Sequence, residues 1–173
     1  MKKAAAKIRI FTIMAFLSTA LSLSACGFTP LYSQNAQVSA HLDQIQIGII
    51  PDRSGQFLRN ALIDRFYQTG TPSAPLYHLK IEPIAESISD LDITKSSDAT
   101  RAQLRLRTTM TLTDTATGNA VLTRQLRSIT SYNILQSQFT TNVSEQDARE
   151  SGLNDLARQI ERQISLHLKK ASF

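Results

Sequence analysis

The fold is decided by the stretch RAQLRLRTTMTLT, residues 101–113, in which core-type and polar side chains alternate. A repeat of two is the repeat of a β-strand, whose successive side chains point to opposite faces of the sheet. One face carries Ala102, Leu104, Leu106, Thr108, Met110 and Leu112. The other face carries only arginine, glutamine and threonine. The stretch therefore predicts a long strand with one face in the core and a wet, basic face.

The residues that follow predict a hairpin. Asp114–Asn119 have the composition of a turn, and the segment Val121–Tyr132 is rich in β-branched residues. This segment carries Leu122, Leu126 and Ile129 as its large apolar residues. We expect it to return beside the first strand as its antiparallel partner.

Upstream, the pattern predicts a short strand and a helix. Residues 45–49 alternate three isoleucines with polar or small residues until Pro51, which is typical of a half-buried strand. Apolar residues at helical spacing run from Phe57 to Phe66. With Ser54 as the N-cap and Gly70 as the stop, they predict a helix of about four turns.

A second strand and a terminal helix complete the predicted elements. Residues 77–81 alternate again before Pro83, while residues 87–100 fit either an extension of that strand or a long loop. Ser144 followed by Asp147 resembles a helix N-terminus. The apolar stripe of this helix is Ala148, Leu153, Leu156, Ala157, Ile160, Ile164 and Leu168, and Lys169 and Lys170 follow it.

The order of these elements predicts the fold class. One strand, one helix, three strands and a last helix favour an α+β two-layer sandwich. In it, two amphipathic helices pack on one face of a roughly four-stranded antiparallel or mixed sheet.

The first 26 residues indicate export and lipidation. Residues 1–25 have four cations, an apolar run from Ile10 to about Leu23 and two small residues directly before Cys26, the single cysteine. The run is short and rich in Ser and Thr for a membrane span, which needs about 20 apolar residues. We expect a signal peptide over 1–25, a lipidated N-terminus and tether over 26–41, and a single periplasmic domain over 42–173.

Leu23-Ser24-Ala25-Cys26 resembles the lipobox of bacterial lipoproteins. The resemblance implies a covalent diacylglycerol and an N-acyl chain on Cys26, which together anchor the chain to a membrane. Gly27, where an aspartate would stand in inner-membrane lipoproteins, is similar to the outer-membrane class. The domain would then lie on the periplasmic side of the outer membrane.

Charge and motifs exclude several function classes. Four of the 19 basic residues precede Cys26, which leaves 15 to face all 14 acidic residues, so the basic pI does not indicate nucleic-acid binding. His41, His78 and His167 lack the spacing of metal ligands. No Gly-x-Ser-x-Gly elbow and no glycine-rich phosphate loop occurs, and the acidic residues 90–98 lack the glycine and distal glutamate of a calcium loop. We expect no enzyme activity, no metal and no cofactor beyond the acyl chains.

Several segments together resemble the LptE family of LPS-assembly lipoproteins, in its alphaproteobacterial-type branch. They are the start Cys26-Gly27-Phe28-Thr29-Pro30-Leu31-Tyr32, the strand and helix after it, the hairpin ending at Ser131-Tyr132 and the helix after Ser144. The resemblance covers essentially the whole mature chain. It implies a protein without chemistry of its own, which plugs the lumen of the outer-membrane barrel LptD and assists its assembly. It also implies a role in delivering lipopolysaccharide to the outer leaflet.

The basic strand face supplies candidate lipopolysaccharide contacts, namely Lys95, Arg101, Arg105 and Arg107. Cations repeated along a strand can bind the phosphates of lipid A through charge-assisted hydrogen bonds. The alternative is that these side chains only solvate an open sheet face. Two other functions also stay open. One is an accessory lipoprotein of another envelope lipid transporter, with an apolar groove between helices and sheet; the other is an envelope hydrolase, which would need a nucleophile that the sequence does not display.

Overall fold

The alternating stretch forms the longest strand of the sheet in the computed structural model, which describes residues 42–67, 70–93 and 99–171. These residues all lie in one structural unit. Its elements in chain order are β1 (Ile45–Ile47), α1 (Asp52–Phe66), β2 (Tyr77–Ile81), β3 (Ala85–Ile93), β4 (Ala99–Asp114), β5 (Ala120–Asn133) and α2 (Gln138–Ala171). Two helices and a mixed sheet confirm the predicted α+β fold class.

Strand β4 lies at the centre of the sheet. On one side it pairs antiparallel with β5, in unbroken register from Arg101 opposite Asn133 to Leu112 opposite Leu122. On its other side β2 and β3 follow one another, and both are antiparallel to β4. Strand β1 pairs parallel with β2 and makes the sheet mixed. The predicted hairpin is therefore confirmed, and the sheet has five strands among the described residues, which occupy four positions across.

The break between β2 and β3 lies at Glu82–Ile84, around Pro83. The Glu82 amide donates to the Thr109 carbonyl at 2.9 Å, and the Glu82 carbonyl accepts from the Thr108 hydroxyl at 2.7 Å. These bonds keep the edge in line with β4 although proline removes one donor. Strand β3 therefore extends the line of β2, which decides the structure of residues 87–93 in favour of a strand. Residues 94–98 lie outside the described residues.

In the hairpin, alternate side chains of β4 point to the core and to the outer face, as predicted. All six residues of its core face are buried. On β5 the inward positions Leu122, Leu126, Ser128 and Tyr132 are buried, whereas Ile129 is 46% exposed and lies opposite Arg105 on the outer face. Ile129 is an odd-numbered residue in a strand whose even-numbered residues face inward, so it cannot join the core.

Helix α1 starts earlier than its sequence suggests. It begins directly after Pro51, with Asp52 at a left-handed φ of 67°, and no side chain caps its first turn. The prediction that Ser54 is the N-cap is wrong. Ser54 is the third residue of the helix, and its hydroxyl donates to Glu86 Oε1 of β3 at 2.6 Å instead of capping the first turn. The helix ends at Phe66, before Gly70, and its 15 residues make about four turns.

Helix α2 is also longer than predicted. It begins at Gln138 rather than Ser144 and has 34 residues. Its first turns bury no apolar residue, so they lack the stripe that marks the rest of the helix. Every residue of the predicted stripe is buried. Gly152 lets the helix approach the sheet closely, since a Cβ there would lie 2.8 Å from Leu106 Cδ1.

The two helices run side by side in the same direction on the inner face of the sheet. Arg65 near the end of α1 pairs with Glu161 of α2 at 3.0 Å. The first turns of α1 adjoin α2 near Leu153. In the described part of the chain, no helix is long and apolar enough to cross a membrane.

Candidate anion-binding face

The outer face of the sheet, away from the helices, gathers arginines from two strands. Arg101, Arg105 and Arg107 alternate along β4 with buried core residues, so they lie on the outer face. Strand β5 adds Arg127, directly opposite Arg107. We call these four residues the arginine face. The structure thus brings three of the four candidate contacts together, while Lys95 lies outside the described residues.

Hydrogen-bonding side chains surround the arginines. The outer positions of β4 and β5 in register with them include Gln103, Thr109, Thr111, Thr123, Gln125 and Ser131. Arg105 Nη2 donates to Gln103 Oε1 at 2.8 Å. Residues at alternate positions of a strand are about 7 Å apart, so the long side chains of Arg105 and Arg107 can converge on one phosphate group.

The arginine face lacks anionic partners among the described residues. Among the carboxylates whose side chains the structure describes, which do not include Asp92 opposite Arg101, none pairs with any of the four guanidinium groups. The nearby acid Glu82 is bonded to Lys80 at 2.9 Å. Like charges directly opposite one another in an antiparallel pair destabilise a sheet. The Arg107–Arg127 pair is therefore a cost to the fold that a bound anion would offset.

The charged side chains between the helices and the sheet, in contrast, form ion pairs. Arg149 of α2 donates to Glu86 Oε2 of β3 at 2.9 Å and to Glu145 Oε1 at 2.6 Å. Partial burial opposes ionisation of Glu86, but hydrogen bonds from Ser54 and Arg149 outweigh it and hold the pKa of Glu86 below its usual value. Burial and the adjacent Glu145 raise the pKa of Tyr132. These charges are paired and join α1, β3 and α2, which is a structural role.

Sequence reasoning missed Arg127. Its place opposite Arg107 depends on the register of the hairpin, which the turn Asp114–Asn119 fixes in the structure. The Asp114 carboxylate accepts from the Thr117 amide at 2.8 Å and holds this turn. The acidic residues Asp90 and Asp92 belong to strand β3 and not to a loop.

The family model for LptE, described as lipopolysaccharide-assembly, matches residues 42–164. This match spans well over half of the chain and contains every described strand and α1. The chain belongs to the LptE family. As an LptE-family protein it is a lipopolysaccharide-assembly lipoprotein of the envelope, and the recognition made from its sequence is confirmed.

Solved structures similar to this LptE-family protein share its fold. A lipoprotein of Caulobacter crescentus CB15 matches with a TM-score of 0.60 and 23% identity, over 78% of this chain and 98% of that chain. The rare lipoprotein B of Shewanella oneidensis matches with a TM-score of 0.60 and 10% identity, over 75% and 99% of the two chains. A minor lipoprotein of Acinetobacter baumannii matches with a TM-score of 0.54 and 25% identity, over 71% and 91%. No curated protein matches the chain.

Proposed function

We propose that this LptE-family protein is an outer-membrane lipoprotein that plugs the LptD barrel, assists its assembly and helps deliver lipopolysaccharide to the outer leaflet. The observation that carries the proposal is the arginine face, a set of guanidinium groups without described anionic partners on an open, polar sheet. Family membership supplies the lipopolysaccharide-assembly role, and this face supplies a surface with the matching charge.

The outer face suits contact with both a barrel lumen and an anionic lipid. The interior of a large outer-membrane barrel is polar, so a body inside it must present hydrogen-bonding groups. Threonine, glutamine and serine side chains do so along β4 and β5. Guanidinium groups bind phosphate oxygens with two parallel hydrogen bonds, which lysine cannot do. Arg105, Arg107 and Arg127 would hold the phosphates of lipid A while the surrounding hydroxyl and amide groups contact the barrel.

The anchor belongs to the same proposal. Cys26, which lies outside the described residues, would carry the diacylglycerol and the N-acyl chain. Since one acyl chain gives only reversible binding, several chains are needed for stable attachment to the membrane. The protein would need no catalytic group and no metal or other cofactor.

The alternative, an accessory lipoprotein of another lipid transporter, gains less support. It predicts an apolar groove between the helices and the sheet. Where both helices cover the sheet, that space is filled by buried side chains such as Leu106, Leu156 and Ile160.

The first test is to purify the tagged protein from detergent-solubilised outer membranes and to identify its partners by mass spectrometry. Near-stoichiometric recovery of the LptD barrel is expected. Recovery of an inner-membrane transporter, or of no partner, would contradict the proposal.

A second test separates the plug from the lipid contact. Arg107→Gln with Arg127→Gln should leave the recovery of LptD unchanged and reduce the lipopolysaccharide that co-purifies, because bidentate phosphate contacts are lost. Arg158→Gln, which removes an exposed arginine of α2, is the matched control and should change neither quantity.

A further inference from the structure

Helix α2 extends far beyond the start of its neighbour α1. Arg53 and Phe57 of α1 adjoin Gln146 and Leu153 of α2. Because α1 begins at Asp52, the turns of α2 that precede Gln146 have no helix beside them in the described residues. The side of α2 that packs against α1 therefore continues, uncovered, toward its N-terminus.

This uncovered side borders an open, shallow space of about 460 Å³, and we call the helix face that lines it the α2 groove. The space is lined by Phe139, Asn142, Val143, Gln146, Asp147 and Glu150. Phe139 is 76% exposed and Val143 is 53% exposed, and their spacing of four residues places them next to each other on the helix. Adjacent exposed apolar side chains are a surface that a partner can cover, which favours association.

The sheet has an uncovered apolar residue near the same end of the helix layer. Ile88 lies opposite the buried Leu104, so it faces the helices, yet it is 50% exposed. Helix α1 reaches only Glu86, to which Ser54 donates, and leaves Ile88 uncovered. Beyond the start of α1, apolar side chains of both the sheet and α2 are therefore exposed.

The rim of the α2 groove is acidic. Asp147 and Glu150 line it, and the Gln146 amide donates to Glu150 at 2.8 Å. Of the neighbouring cations, Arg149 is engaged by Glu86 and Glu145, and Arg53 of α1 lies beside Glu150 only at the end of the groove nearest α1. An anionic lipid would meet like charge at this rim, and so would a second copy that docked with the same groove. A cationic rim on the partner would instead be attracted.

We propose that the α2 groove docks a polypeptide segment of a partner protein, in which apolar side chains are flanked by lysine or arginine. The apolar side chains cover Phe139 and Val143, and the cations meet Asp147 and Glu150. This site lies on the helix layer, away from the arginine face and with the opposite charge. It rests on the proposed function only for the identity of the first partner to examine, the LptD barrel.

The test uses the full-length protein in its native membranes, with Val143 replaced by a photo-crosslinking amino acid. The same replacement at Leu166, an exposed apolar residue of α2, is the matched control, since it lies about 34 Å away along the helix. Cross-linked peptides are sequenced by mass spectrometry. We expect position 143, and not position 166, to capture a partner segment with apolar residues flanked by cations.

Reversing the charge of Asp147 tests whether the acidic rim attracts the partner's cations. Asp147→Lys should lower the cross-linking yield from position 143 about tenfold, because it places like charges together. Replacing the captured cation by glutamate should restore the yield. Thermal unfolding of Asp147→Lys should match the wild type, since Asp147 is exposed.

Each other outcome is decisive. Cross-links to a second copy, to a lipid or to an acidic segment, or none at all, would overturn the docking proposal. If position 143 captures a segment of the expected kind from another protein and LptD does not co-purify, the docking proposal stands and the proposed function fails. If LptD co-purifies but position 143 captures no such segment, the proposed function stands and the docking proposal fails.

Discussion

Removing one arginine from the centre of the arginine face should stabilise the domain. Arg107 and Arg127 lie directly opposite each other on β4 and β5, and no described carboxylate pairs with either of them. The perturbations are Arg107→Gln, Arg127→Gln and the double variant. Glutamine keeps a long, hydrogen-bonding side chain and removes only the charge, so packing on the outer face changes little.

The size of the effect follows from Coulomb's law. Opposite residues of an antiparallel pair have Cβ atoms about 5 Å apart, and long side chains can separate their charges to about 8 Å. Two unit charges at that distance in water repel by about 0.5 kcal/mol. Each single variant should therefore raise the free energy of unfolding by about 0.5 kcal/mol, and the double variant should gain no more than that. The corresponding rise in Tm is about 1–2 °C.

Urea unfolding of the four proteins measures this coupling. The midpoint should rise while the m-value stays constant, since the compactness of both states is unchanged. In about 0.5 M salt, where the Debye length is only about 4 Å, the gain should largely disappear. Arg158→Gln, which breaks an exposed pair with Asp155, is the control and should produce no gain.

Two results would refute the reasoning. If both substitutions stabilise additively, or if the gain persists in high salt, the two guanidinium groups do not repel each other. If either substitution destabilises the domain, the arginines contribute to the fold, and the functional interpretation of their pairing loses its basis.

Three further predictions concern packing, protonation and the anchor. Gly55→Ala should lower the free energy of unfolding by about 1–3 kcal/mol in urea titrations despite the helix preference for alanine, because the new Cβ would lie 2.9 Å from the Ile50 carbonyl; equal or greater stability would contradict this packing. The pKa of Glu86 is lowered by its partners despite partial burial, so its contribution is complete above an ordinary pKa of about 4.3 and is lost as the pH falls through the lower folded value. Glu86→Gln should therefore flatten the fall of Tm below about pH 5, and an unchanged acid limb would exclude the paired carboxylate. Cys26→Ala should lack the mass of the acyl chains in intact-protein mass spectrometry and leave the membrane fraction, whereas an unchanged mass would contradict lipidation.

The sequence predicted correctly those parts of the fold in which apolar residues repeat at a regular spacing. The core face of residues 102–112 and the stripe from Ala148 to Leu168 are buried as expected, because burial on one face leaves a repeat of two or 3.6 in the sequence. The predicted start of α2 was wrong because its first turns lack such a repeat. Residues 138–147 are helical but bury no apolar face, so no period distinguishes them from a loop.

The prediction of the helix N-cap failed because a tertiary contact, and not the local sequence, determines the hydrogen bond of the serine. Ser54 has the residue type of an N-cap, yet its hydroxyl bonds to Glu86 on another element. Sequence alone cannot indicate that β3 passes close to this helix. For the same reason, alternation identified Arg101, Arg105 and Arg107 as one face but could not find Arg127, whose position depends on hairpin register.

The nearly balanced charge of residues 26–173 conceals two surfaces of opposite sign. On the sheet, Arg107 and Arg127 stand together without a described anionic partner, while on the helix layer Asp147 and Glu150 border an uncovered apolar groove. A charge distribution of this kind orients a molecule in the field of its partners even when its net charge is close to zero. An anionic lipid should approach the sheet, and a basic polypeptide should approach the helices. We therefore expect the two proposed ligands to bind without competition, because their surfaces do not overlap.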